Sequence, residues 1–393
     1  MKLLHTSDWH VGKAIRGRSR AGEHEAVLAE MAAVADREAV DLVLVGGDLF
    51  DSAAPPPEAE RIVYDALLAL TAERTRPVVV IAGNHDSGAR LAAVAPVFAA
   101  HGVTVLDRPT PPAAGGLVEL ETGAGVARVA LLPFPSQRSV VTAEALMTTD
   151  ASEQGTSYAD RVRRLLDVLG ASFEGSGAVD VLLAHLMVMG GTMGGGERGA
   201  HTIFDYWVPA AAFPSSAAYA ALGHLHRAQR LDGPCPIRYC GSPLQLDFGE
   251  TANEPSVDVV TADPDRAGVD IRPVALSAGR RLRVLRGTPD ALLAIDPDSL
   301  EGAHLKLVVE SGPRAGLADE LRARFPDAVE VVLAGRDLDT VDDGADAAAT
   351  RRGRSPHDLF ADYLAEVDAT DERVVALFDA LVDESLDEAA VAS

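Results

Sequence analysis

Short apolar runs alternate with helical stretches along the early part of the chain, and each run stops at polar, metal-capable side chains. The runs are 2–6, 42–45, 78–82, 181–184 and 219–222. Their length and their Val and Leu content predict buried strands. In turn they end at Ser7-Asp8-Trp9-His10, Gly46-Gly47-Asp48, Gly83-Asn84-His85-Asp86, His185 and Gly223-His224-Leu225-His226. Residues 22–39, 58–73 and 88–100 are predicted helices; Val27, Met31 and Val34 show the spacing. Strand–helix–strand alternation predicts an α/β core. Alternating runs within 103–134 suit a second sheet, 190–201 reads as a glycine-rich loop whose glycines suggest mobility, and 235–275 reads as further short strands.

Near residue 277 the texture changes. Residues 280–337 read strand, strand, helix, strand, a compact α+β unit. Residues 338–354 are polar, Ala-rich and non-periodic, as a linker is. A helix over 357–367 then carries Leu359, Phe360, Tyr363, Leu364 and Val367 on one face, and a second, 371–384, carries Val374, Leu377, Phe378 and Leu381. The expected division is 1–276, 277–337, a linker at 338–354 and a helical tail at 355–385. Apolar faces of this kind suit a clamp that docks into a partner groove.

The composition, 47% hydrophobic and 24% charged over 393 residues, is that of a soluble globular protein. No run of about 18 uncharged apolar residues predicts a membrane span, and polar residues follow the start too soon for a signal peptide. A cytoplasmic address is expected. Cys235 and Cys240 read as inert thiols. The net charge is −24, and residues 335–393 hold 16 acidic against 5 basic side chains. That balance argues against non-specific nucleic-acid binding, so any DNA contact must be local, metal-assisted or shared with a partner. The GK[ST] signature of an ATP-binding P-loop is missing, as is a Gly-x-Ser-x-Gly elbow.

In open α/β sheets, ligands collect at the carboxyl ends of strands. Five of the eleven histidines stand at these run ends, with Asp8, Asp48 and Asn84. Asp8/His10 and His224/His226 are i, i+2 pairs, which point the same way in extended chain; the adjacent Asn84 and His85 diverge. Carboxylate, amide and imidazole without thiolate suit Mn²⁺, Fe²⁺ or Zn²⁺. Seven such ligands exceed one ion's needs and suit two, roughly 3.5–4 Å apart.

The order DxH, GGD, GNHD, H, GHxH resembles the calcineurin-like metallophosphoesterase superfamily. GGDLFDSAAPP (46–56), GNHDS (83–87), DYWVPAAAFP (205–214), YAALGHLHRAQ (219–229) and YCGSP (239–243) are similar to the SbcD family of bacterial nuclease subunits. The resemblance implies a two-sheet metallophosphoesterase sandwich with flanking helices, then a small α+β capping domain and a C-terminal helical tail. It implies that one ion takes Asp8, His10, Asp48 and His226 and the other Asp48, Asn84, His185 and His224, with Mn²⁺ the first candidate for both. Two adjacent dications acidify a shared water and neutralise phosphoryl charge. His85 then stabilises the transition state or protonates the leaving 3′-oxygen, and Asp86 either orients His85 or caps the helix that follows. Arg16, Arg18 and Arg20 are candidate contacts to the DNA backbone, and the loop 190–201 borders the cleft. Archaeal and eukaryotic relatives carry a histidine where this chain, like bacterial members, has Asp51. The implied activity is that of a DNA nuclease, a 3′→5′ exonuclease on duplex ends and an endonuclease on single strands and hairpins. The implied assembly is a homodimer within a heterotetramer, the tail docking on an SbcC-type ATPase. A small-molecule phosphodiesterase or phosphatase, and a non-catalytic DNA-end tether, are the alternatives.

Overall fold

The five apolar runs are central strands of two six-stranded sheets packed face to face. The computed structural model describes residues 1–147, 157–173, 175, 177–197, 206–263 and 268–334. The expected linker at 338–354, both tail helices with Leu359, Phe360, Tyr363, Leu364 and Phe378, and Arg198 and His201 of the glycine-rich loop lie outside the described residues.

In the first sheet Lys2–Thr6, Leu42–Val45, Val78–Ile81 and Val103–Leu106 run parallel in that order, joined by the helices Ala21–Arg37, Pro57–Leu70 and Gly88–Ala99. Ser256–Ala262 and Val269–Ala275 extend it antiparallel on the far side of Lys2–Thr6. Val103–Leu106 therefore belongs here and not to the second sheet, because a strand leaving a crossover helix pairs parallel beside the preceding strand. In the second sheet Gly125–Leu132, Ala178–His185, Tyr219–Gly223 and Ile237–Tyr239 run parallel, with Leu117–Thr122 and Gln229–Leu231 antiparallel at its edges.

Strand alternation sorts the side chains into layers. Leu3, Leu42, Leu44, Val79 and Ile81 meet Val129, Leu131, Val181, Leu183 and Tyr219 between the sheets. Leu4, Val43, Val45 and Val80 face Val27, Met31, Ile62 and Phe98 of the first sheet's helices. On the other outer face, Leu132, Leu182, Ala184 and Leu222 pack against Val162, Leu165 and Leu169 of the helix Tyr158–Ala171. Each fully buried Val or Leu contributes about 1.5–3 kcal/mol. Both sheets are covered on both faces, which is why their strands read as unbroken apolar runs.

A third sheet of Leu282–Gly287, His304–Val309 and Ala328–Leu333 is wholly parallel, with its own core of Leu292, Leu305, Leu307, Leu321 and Phe325. The expected α+β pattern lacks the helix Pro289–Leu293, whose N-cap Thr288 accepts from Ala291 N. That helix makes the first connection a crossover, so the unit is α/β. No helix among the described residues is long and apolar enough to cross a membrane.

Candidate metal centre

The strand ends of the two sheets converge on one buried pocket. Asp8 N donates to Gly47 O at 2.9 Å and His10 N to Asp48 O at 3.0 Å, lacing the first two loops together. The motif glycines permit this closeness. A side chain on Gly223 would strike Gly46 O of the other sheet, and one on Gly83 would strike Asp48 Oδ1. Asp8, His10 and Asp48 hold φ of 55°, 47° and 52°, and His224 holds 104°. Left-handed backbone at non-glycine residues is strained and concentrates at functional sites. The i, i+2 pairs thus reach one site through strained turns and not through the pleat of extended chain.

Three clusters form there among the described residues, of which the third, His10 with Asp51 and His85, shares His10 with the first. Asp8, His10 and His226 each bring one ligand atom within 4.8 Å of the others, and Asp48, His185 and His224 do the same. Asp48 Oδ2 stands 3.5 Å from His10 Nε2 and 3.6 Å from His185 Nε2, between the clusters. Asn84 Oδ1 lies 2.9 Å from His185 Nε2 and 2.7 Å from His224 Nδ1. All seven are buried except Asn84, which is half-buried. Phe134, at the end of another strand, stacks on His224 with ring centroids 6.0 Å apart.

The rings are pinned from behind. His185 Nδ1 donates to Gly46 O at 2.7 Å, so its Nε2 lone pair faces Asn84 Oδ1, itself an acceptor. A cation between two lone pairs relieves their repulsion. His226 Nδ1 bonds Glu250 Oε1 at 2.6 Å, the carboxylate–histidine arrangement that orients metal ligands. Burial pushes Asp8 up to about 6 against the pull of His185 and His226. It also holds His10 and His185 below the usual histidine range, in the neutral form a cation needs. For His226 burial opposes the charge, but Glu250 lifts it to about 9. Buried His10 Nε2 has no hydrogen-bond partner among the described residues. Two buried carboxylates, an amide oxygen and converging imidazoles without thiolate fit divalent cations of the Mn²⁺, Fe²⁺ or Zn²⁺ type.

His85 takes partners of its own, apart from those of Asn84. Its N–H donates to Asp48 Oδ1 at 2.8 Å, its Nδ1 bonds Asp51 O at 2.8 Å, and its ring stands 4.5 Å edge-on from His10. Asp51 draws in Lys13 at 3.1 Å. Of its two expected roles, Asp86 does not take the helix cap. Ser87 caps the helix, and the Asp86 carboxylate accepts from Gly83 N, Phe50 N and Leu49 N at 2.9, 3.1 and 3.3 Å. It ties the His85 turn to the Asp48 loop. Asp86→Ala leaves these donors without that acceptor. An expected loss of about 1–3 kcal/mol is read from the urea midpoint.

Of the three loop arginines, Arg16 and Arg18 are exposed and Arg20 is buried. Arg16 pairs with Glu330 at 2.8 Å, and Arg18 donates to Pro326 O at 3.1 Å, both beside the third sheet. Arg20 is buried, held by Glu23 at 2.9 Å and by the carbonyls of Gln245 and Arg280. Glu250, Glu197 and Phe134 escaped sequence reasoning. Only Phe134 left a signal, as another apolar run, 126–132, ending at a strand tip; the two glutamates lie far from the ligands in sequence.

A model of the calcineurin-like phosphoesterase family matches residues 1–121. The SbcD subunit of nuclease SbcCD from Bacillus subtilis is 33% identical over 82% of this chain and 83% of its own length. The Rhodobacter capsulatus protein of the same name is 32% identical over 92% and 94%, and that of Escherichia coli K12 32% over 66% and 65%. The fold, the strand-end clusters and this likeness agree: the chain belongs to the SbcD family of SbcCD nuclease subunits, built on a calcineurin-like phosphoesterase domain.

Proposed function

We propose that this chain is a DNA nuclease subunit that uses two divalent cations, with Mn²⁺ the first candidate, and works with an SbcC-type ATPase. The observation that carries this reading is the pair of buried clusters, Asp8 with His10 and His226 and Asp48 with His185 and His224, with Asp48 Oδ2 also 3.5 Å from His10. Asp8, His10, Asp48 and His226 would hold one cation, and Asp48, Asn84, His185 and His224 the other. When bound, they supply Lewis acidity, activating water and neutralising phosphoryl charge. The chain's own residues do the positioning. Gly46 O and Glu250 set the rings of His185 and His226. Asp51 O accepts from His85 Nδ1, which leaves Nε2 as the atom that would stabilise the transition state or exchange a proton with the leaving 3′-oxygen.

The activities proposed are 3′→5′ exonuclease on duplex ends and endonuclease on single strands and hairpins. The relatives are named as subunits of nuclease SbcCD, which supports DNA as substrate and SbcC as partner. Residues 277–337 are read as a capping domain, 355–385 as the segment that docks on the ATPase, and the assembly as a homodimer within a heterotetramer.

The test is cleavage of a single-stranded DNA circle with Mn²⁺, with bis-p-nitrophenyl phosphate in parallel. Metal-dependent cutting that EDTA stops is expected. An intact circle beside a hydrolysed ester, even with the ATPase added, would favour a small-molecule phosphodiesterase. His85→Ala is expected to slow cutting about 10²–10⁴-fold while Mn²⁺ binding, followed by calorimetry, stays at the parent level.

A further inference from the structure

Glycine richness in 190–197 suggests mobility, yet the 194–196 turn approaches its neighbours closely. A side chain on Gly196 would strike Glu250 Oε1, one on Gly195 would lie 2.8 Å from Gly249 O, and one on Gly194 2.9 Å from His226 Cβ. The glycines therefore serve close approach. Thr192 and Gln229 exchange two hydrogen bonds, each 2.7 Å. The loop's tip is closed by Glu197. Its Oε1 accepts from Gly194 N at 2.6 Å and from His226 N at 3.0 Å, and its Oε2 accepts from Gly195 N at 2.8 Å.

His226 is thus gripped twice, by Glu250 at the ring and by Glu197 at the backbone. We infer that Glu197 is a positioning residue for His226, and that the 194–197 turn is a latch whose closure and cation binding at the His226 cluster favour each other. This rests on the reading of His226 as a cation ligand. The physical reason is linkage. A carboxylate that holds both the turn and the ligand lowers the ordering cost of cation binding, and a bound cation must stabilise the turn by the same factor.

The experiment uses the full chain, with Mn²⁺ as the probe. Titration calorimetry gives affinity, and amide hydrogen exchange over 190–197 is followed with and without the ion. In the parent, Mn²⁺ is expected to slow exchange in this segment. Glu197→Ala is expected to weaken Mn²⁺ binding about 10–100-fold and to abolish the slowing. Gly196→Ala, whose Cβ would strike the Glu250 oxygen that holds the His226 ring, should do the same. Glu197→Gln keeps one carbonyl acceptor and should fall between parent and alanine. A loop that only packs would lower Tm and leave Mn²⁺ affinity at the parent value, and that result in both Glu197→Ala and Gly196→Ala overturns the inference. Asp48→Ala separates the two readings. If it binds Mn²⁺ as tightly as the parent, the metal-ligand reading has failed, and the latch with it. If it loses Mn²⁺ while the two loop variants keep it, the latch alone has failed.

Discussion

Asp48→Ala is expected to abolish Mn²⁺-dependent cutting of the single-stranded circle, a fall of at least about 10³-fold, while the chain stays folded. The carboxylate does three things at once. One oxygen stands between His10 and His185, at 3.5 and 3.6 Å, and so between the clusters. The other accepts the His85 N–H at 2.8 Å. The residue's carbonyl also receives His10 N. Alanine keeps the carbonyl and so the backbone lacing, but removes the only side chain that the two proposed ligand sets share. Calorimetry of the variant should show weakened Mn²⁺ binding, and hydrolysis of bis-p-nitrophenyl phosphate should fall with DNA cleavage. Retained ester hydrolysis in Asp48→Ala would refute a shared role for this carboxylate.

Arg20→Ala is expected to have the largest effect on stability, about 3–5 kcal/mol. The Arg20 side chain is 0% exposed, and its partner Glu23 is 14% exposed. Removing the guanidinium leaves a largely buried carboxylate that also accepts from His304 Nε2 at 2.8 Å and Arg280 N at 2.9 Å. It also strips the Gln245 carbonyl of a donor; the side chain of that same residue accepts from Leu282 N at 2.7 Å, at the start of the third sheet. Loss should appear as a lowered urea midpoint. A phosphate-contacting arginine behaves otherwise: its removal shallows the salt dependence of DNA binding by about one unit of slope. Arg20→Ala should leave that slope unchanged, and a shallower slope with unaltered stability would return Arg20 to the DNA interface.

The five strand-end motifs were legible because strand ends gather ligands whatever the details of packing. The fold class was legible because strands covered on both faces leave continuous apolar runs, such as 78–82. Glycine content does not say whether the 194–196 turn serves freedom or close approach, since both use the same letters. Only neighbours such as Glu250 and Gly249 tell which. For Asp86 only the capping alternative fails: a carboxylate next to a helix start suits capping, but Ser87 takes that role and the Asp48 loop supplies donors to Asp86.

By itself the sequence determined the α/β class, the alternation of the first three strands with their helices, and the residue types at each strand end. Periodicity and residue chemistry are local properties that the chain carries before it folds. Tertiary structure alone decided that Glu250 and Glu197 grip His226, that Arg20 is internal, and that Val103–Leu106 joins the first sheet. Each of these depends on which distant segment arrives within about 3 Å, a separation hydrogen bonding requires and spacing along the chain does not encode.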